Sequence, residues 1–115
     1  MNVKPVTENM KQKCIKLYNY MKDNNRYCTK QELMALFNTG ERQVRDIIST
    51  LSQQSPIIAT SDKKGYKLAY KVTDLDDVEH TLAELDSRIE ELEKKKKPLL
   101  QWRELVRQKV GYYKR

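Results

Sequence analysis

Two arginines and a glutamine stand at the start of an amphipathic stretch, "ERQVRDIISTL", residues 41–51. Arginine presents a planar fork that fits the paired acceptors of guanine, and glutamine can pair with adenine. Arg42, Gln43 and Arg45 are therefore the side chains whose types and spacing suit reading of base edges. Glu41 and Asp46 would repel phosphates. They can instead orient the arginines or accept a hydrogen bond from cytosine. Ser49 continues the same polar face. Lys30, Lys63 and Lys64 suit phosphate contacts, which fix register without carrying sequence information.

Other chemistries are poorly supplied. Two cysteines, Cys14 and Cys28, and one histidine, His80, are too few and too badly spaced for a zinc site. The cysteines read as small buried hydrophobes, and a disulfide between them is not expected in a reducing compartment. The chain carries no phosphate-cradling glycine loop and no nucleophile elbow, and glycine occurs only 3 times. The expectation is a protein that is not an enzyme and uses no metal or cofactor.

The charge is distributed in blocks. Residues 1–72 hold 13 basic and 6 acidic groups, a net of +7. Residues 73–93 hold 1 basic and 9 acidic, a net of −8, and residues 94–115 hold 9 basic and 1 acidic, a net of +8. A basic domain attracts polyanions, nucleic acid first among them. With 115 residues, one modest core plus an extension is expected. No apolar run approaches the length of a bilayer span, and "MNVKPVTENM" lacks the apolar heart of a signal peptide. A cytoplasmic location without membrane contact is the expectation.

The elements that must position these side chains follow from periodicity and caps. Residues 7–23 read as a helix capped by Thr7, with Met10, Cys14, Leu17 and Met21 as its apolar stripe. Residues 29–37 begin with the capping box "TKQE", and Cys28 and Leu33 are spaced for a hydrophobic staple. "NTG", residues 38–40, breaks the chain, because Asn38 tolerates the left-handed conformation and Gly40 is permissive. A third helix over about 41–53 turns Val44, Ile48 and Leu51 inward, with Ile47 on the flank. "PIIAT" and "YKLAYKV", joined by the lysine-bearing loop, then read as a β-hairpin, with Gly65 at its tip and Tyr66 at its base.

In that order the pieces carry a resemblance. "TKQELMALFNTGERQVRDIISTLSQQSPIIATSDKKGYKLA", residues 29–69, resembles the winged helix–turn–helix domains of the biotin-operon repressor type. The residues that carry it are the leucine-rich second helix, "ERQVRDIISTL" at the recognition-helix position, the short "PIIAT" strand and "KKGYKLA" as the return of the wing. Residues 7–23 supply the first helix. The likeness departs at Asn38-Thr39-Gly40, where that family often has Gly-Val-Ser, and no catalytic or small-ligand domain follows. It implies a double-stranded DNA partner contacted by the third helix and the wing.

Residues 74–97 read as one long helix capped by Thr73. Leu75, Val78, Leu82, Leu85, Ile89 and Leu92 alternate spacings of three and four, a heptad seam that water would not leave exposed. Two outcomes stand open. Two chains pair through the seam as a homodimer, or residues 98–110 fold back over it beyond Pro98. Glu90–Lys94, Glu91–Lys95 and Glu93–Lys97 are spaced for i,i+4 pairs. The closing "VGYYKR" is expected to be a mobile tail.

The expectation is thus a mainly α fold with a small β-hairpin: a winged helix–turn–helix at 1–72, an acidic heptad helix at 73–97, and a basic helix and tail at 98–115. Its function would be sequence-specific DNA binding by a small dimeric regulator. A different class of reading remains: a protein-docking module, or a replication accessory factor, in which the domain or the acidic helix engages another protein.

Overall fold

A computed structural model of the chain describes residues 6–61 and 63–112. The side chains of residues 110–112 and all of residues 113–115 lie outside the described residues, and with them the expected mobile tail "VGYYKR". Four helices and one two-stranded sheet are described, and the chain divides into two compact units, Met1–Thr81 and Leu82–Arg115.

In the first unit the helices begin where the caps demand. The Thr7 hydroxyl accepts from Met10 N and opens α1, Glu8–Asn24. The chain leaves α1 through Asn25, held at φ 46°, whose N–H closes on Met21 O. The Thr29 and Glu32 capping box is complete and opens α2, Lys30–Phe37. Cys28 before the cap and Leu33 after it are both fully buried in one core, as a staple requires. Asn38, at φ 49°, ends α2 in the left-handed region, and Thr39 N reaches back to Met34 O. After Gly40 comes α3, Glu41–Ser52, which buries Val44, Ile47, Ile48 and Leu51. Ile47, expected on the flank of the stripe, lies at its centre.

These helices share their core with Leu17 and Met21 of α1, with Cys28 and with Leu68 of the hairpin. Cys14 and Cys28 are buried free thiols, and burial pushes both thiols up, away from the reactive thiolate.

The sheet is smaller than the sequence alternation predicts. β1 is Ile57–Ile58 and β2 is Lys67–Leu68, antiparallel, with Ile57 opposite Leu68 and Ile58 opposite Lys67. The run from Tyr66 to Val72 does not continue as strand. Asp74 explains where its backbone donors go: its carboxylate accepts from Tyr70 N (2.9 Å) and Lys71 N (3.0 Å). Tyr70 and Val72 are consequently left exposed. Lys67, expected on the polar side of the alternation, is instead drawn in, with its ammonium 2.8 Å from the Asp74 carboxylate and both side chains only 12% exposed.

That carboxylate also corrects the start of the last helix. Thr73 does not cap it. A single 3₁₀ turn, Val72–Asp74, leads directly into α4, Leu75–Tyr112. The first unit takes in the opening turns of α4, where the Thr81 hydroxyl accepts from Ala59 N (3.3 Å) and the Tyr27 hydroxyl donates to Asp77 (2.5 Å).

Two carboxylates in this unit sit far below their usual range. Arg26, through two nitrogens, then Tyr20 and Thr29 N hold Glu32 at about 2, against an ordinary 4.5. Lys67, then Lys71 N and Tyr70 N, hold Asp74 at about 2, against 3.8. A depressed carboxylate contributes stability above its unfolded pKa and loses it as pH falls through the folded one. The urea midpoint should therefore be level from neutral pH down to about 5, then drop as pH goes from about 4.5 towards 2. Asp74→Asn should flatten the lower part of that drop. An unchanged profile in that variant would contradict this role.

In the second unit α4 runs unbroken through Pro98. Residues 98–110 therefore continue the helix and do not fold back. The proline costs one intrahelical hydrogen bond, which the flanking turns tolerate. Glu90–Lys94 forms as spaced, while Glu93 pairs with Lys96 rather than Lys97. Pro98→Ala should raise the stability of this segment by up to about 3 kcal/mol. A thermal melt followed by circular dichroism reads it, and a melt at or below the parent's would contradict the account. No described helix is long and apolar enough to cross a membrane.

Candidate nucleic-acid interface

The four buried residues of α3 fix which way it faces. At 3.6 residues per turn, burying Val44, Ile47, Ile48 and Leu51 leaves Arg42, Arg45, Asp46 and Ser49 on the outside, and all four are exposed. Gly40 offers no side chain to cap this helix. The first turn of α3 has no side-chain cap, and Thr39 braces a side chain instead: its hydroxyl donates to the Gln43 side-chain carbonyl. Gln43 is thereby held half-buried near the helix start, with its amide nitrogen left to donate.

Glu41 organises the charges. Its carboxylate lies 2.6 Å from Lys30 Nζ and 2.6 Å from the Arg45 guanidinium. Lys30 first, then Arg45, hold the Glu41 carboxyl below its usual range. The first residue of α2 and the first two turns of α3 are so joined into one charged surface. Pairs this exposed add little stability, so their effect is on side-chain placement. Arg42 makes no ion pair or side-chain hydrogen bond among the described residues. One guanidinium of the two is thus oriented and the other is free.

The hairpin loop is placed by a different set of contacts. Lys63 sits 5.6 Å from the centroid of the Tyr27 ring, a cation–π contact. Lys64 is exposed. The loop returns through Tyr66, which exchanges backbone hydrogen bonds with Cys28 (2.8 and 2.9 Å). Gly65 lies beside that bridge, at φ 151°, rather than at the tip. A Cβ there would stand 2.3 Å from the Cys28 carbonyl oxygen, so only glycine lets the loop close on the start of α2.

No family model, curated protein or solved structure matches this chain.

Of the nine predicted interface residues, the structure brings Lys30, Glu41 and Arg45 into direct contact and lines Arg42, Asp46 and Ser49 along the same exposed helix face. Lys63 and Lys64 stand apart on the hairpin loop. Sequence reading missed Thr39, which positions Gln43, and Tyr27, which positions Lys63. The four-residue step from Thr39 to Gln43 was visible as a helix-start spacing. The step from Tyr27 to Lys63 crosses the fold and leaves no local signal.

A groove of about 380 Å³ lies at the other end of α3, lined by Cys14, Ile15, Tyr18, Leu51 and Gln54, among others. Its single charged lining residue is Lys11, with no carboxylate or imidazole to pair with it. Among the described residues, no three His, Cys, Asp or Glu side chains are gathered closely enough to hold a metal ion. Charged side chains gather instead at the exposed starts of α2 and α3, around Lys30, Glu41, Arg42 and Arg45.

Proposed function

We propose that residues 7–72 bind double-stranded DNA as a winged helix–turn–helix. In this reading α3 enters the major groove, with Arg42, Gln43 and Arg45 towards base edges, and the loop bearing Lys63 and Lys64 acts as the wing on the phosphates. The chain would serve as a small regulator that acts on DNA without catalysis, and pair with a second copy through α4.

The observation that carries the reading is the division of α3. Four apolar side chains lock it into the core, and the face left outside begins with a free arginine and a braced one. Helix N-terminal residues are where base contacts fall in this motif. The bracing of Arg45 by Glu41 restricts the rotamers that binding would otherwise have to order.

Two groups of substitutions separate reading from anchoring. Replacing both wing lysines, Lys63→Ala and Lys64→Ala, should weaken binding about equally on all duplexes and lower the slope of log affinity against log salt by about 2. Fluorescence anisotropy on two unrelated duplexes measures this. A double variant with an unchanged salt slope would remove the wing from the interface. If the parent protein has no measurable affinity for any duplex, the protein-docking reading takes its place.

A further inference from the structure

The seam of α4 is continuous and uncovered. Leu82, Leu85, Ile89, Leu92 and Leu99 are each between 44% and 68% exposed. Beyond Leu92 the same heptad count places Lys96, Leu99, Arg103 and Val106 on the seam. The two cations are the informative residues, because they decide between the two ways in which a second copy can lie against this face.

In a parallel pair each seam position meets its own copy. Lys96 would face Lys96 and Arg103 would face Arg103 inside the interface. The acidic stretch 73–93 would also lie along its copy, −8 against −8, and the basic stretch 94–115 along its own, +8 against +8. One contact favours the parallel arrangement, since flanking Arg88 could reach Glu93 of the second copy. That is one exposed pair in each direction, worth little beside two buried like-charge layers and two repelling segments.

An antiparallel pair removes each of these conflicts. Set the two copies so that residue numbers across the seam sum to 188. Leu82 then meets Val106, Leu85 meets Arg103, Ile89 meets Leu99, and Leu92 meets Lys96, and every layer joins the two seam positions that antiparallel helices bring together. Lys96 and Arg103 each face a leucine, next to Glu93 and Asp86 of the second copy. The acidic half of one helix lies along the basic half of the other. Pro98 falls at an outer heptad position, away from the contact.

We infer that α4 pairs with a second copy of this chain in antiparallel orientation, centred near residue 94. The inference rests on the self-pairing given under the proposed function and adds its direction and register. The resulting two-fold axis relates the two DNA-binding units by a dyad, the symmetry that an inverted repeat in DNA would match.

The test mixes two single-cysteine additions to the full chain, Leu82→Cys and Val106→Cys, under mild oxidation. Light scattering on the parent chain and peptide mapping of the disulfides complete it. The expected result is a dimer in which the 82–106 disulfide joins the two variants and dominates, with neither variant cross-linking to itself. Bonds of 82 to 82 or 106 to 106 overturn the antiparallel register and leave self-pairing intact. A dimer with no cross-link overturns the register as well. A monomer at high micromolar concentration overturns the pairing itself. None of these outcomes depends on DNA, so the DNA reading stands or falls separately.

Discussion

Replacing Arg42 and Arg45 together by alanine is expected to weaken binding to a preferred duplex by a hundredfold or more. Each well-placed arginine contact with guanine is worth about 1–3 kcal/mol, and each 1.4 kcal/mol is tenfold in affinity. The double variant also removes two positive charges from the exposed face of α3, so the salt dependence of DNA binding should become shallower. The fold should be indifferent to the change. Both side chains are exposed, and the one ion pair lost, Arg45–Glu41, is a surface pair. Loss of affinity with an unchanged melting temperature is thus the expected signature. Arg42→Lys with Arg45→Lys sharpens the point. It restores charge without the planar fork, so it should recover nonspecific affinity while leaving preference among sequences poor.

Gly65→Ala is expected to be among the most damaging single-methyl additions in the chain, costing about 2–4 kcal/mol. The added carbon would stand 2.3 Å from the Cys28 carbonyl oxygen and 2.8 Å from its carbon, both backbone atoms that cannot swing aside. The two hydrogen bonds between Cys28 and Tyr66 would break or the loop would shift, taking Lys63 and Lys64 with it. Stability and DNA affinity should therefore fall together. Gly40→Ser is the matched control. A Cβ at Gly40 meets nothing within 4 Å, its φ is an ordinary −86°, and a serine there can supply the missing cap of α3. Urea unfolding of the two variants should move in opposite directions. Equal destabilisation in both would show that closure of the loop on Cys28 does not matter.

The helices were legible in the sequence because their signals are local. Thr7, the Thr29–Glu32 capping box and the left-handed Asn38 lie within four residues of the groups they satisfy. The stripe of Val44, Ile48 and Leu51 names the buried face of α3, and with it the exposed one. The hairpin was legible only in kind. Its alternating pattern extends to Val72, yet the ladder ends with the Ala69 N to Pro56 O bond, because Asp74 takes the donors after it, Tyr70 N and Lys71 N, and draws Lys67 inward. Nothing in a period-two pattern distinguishes a lysine that faces water from one that meets a carboxylate seven residues on. The bridge from Cys28 to Tyr66 joins residues on opposite sides of α2 and α3, so the need for glycine at 65 was visible and its reason was not. Pro98 is a local break signal that failed, since the helix continues over residues 98–112 and its turns on either side absorb one lost hydrogen bond.

The central claim is that the exposed face of α3 reads duplex DNA, and selection from a pool of random duplexes tests it most directly. The parent protein and the Arg42→Ala, Arg45→Ala variant are each taken through several rounds at physiological salt. The account predicts that the parent enriches one motif containing guanine, arranged as an inverted repeat, and that the variant enriches none. Recovery of an unenriched pool by both proteins, or of the same motif by both, would contradict it.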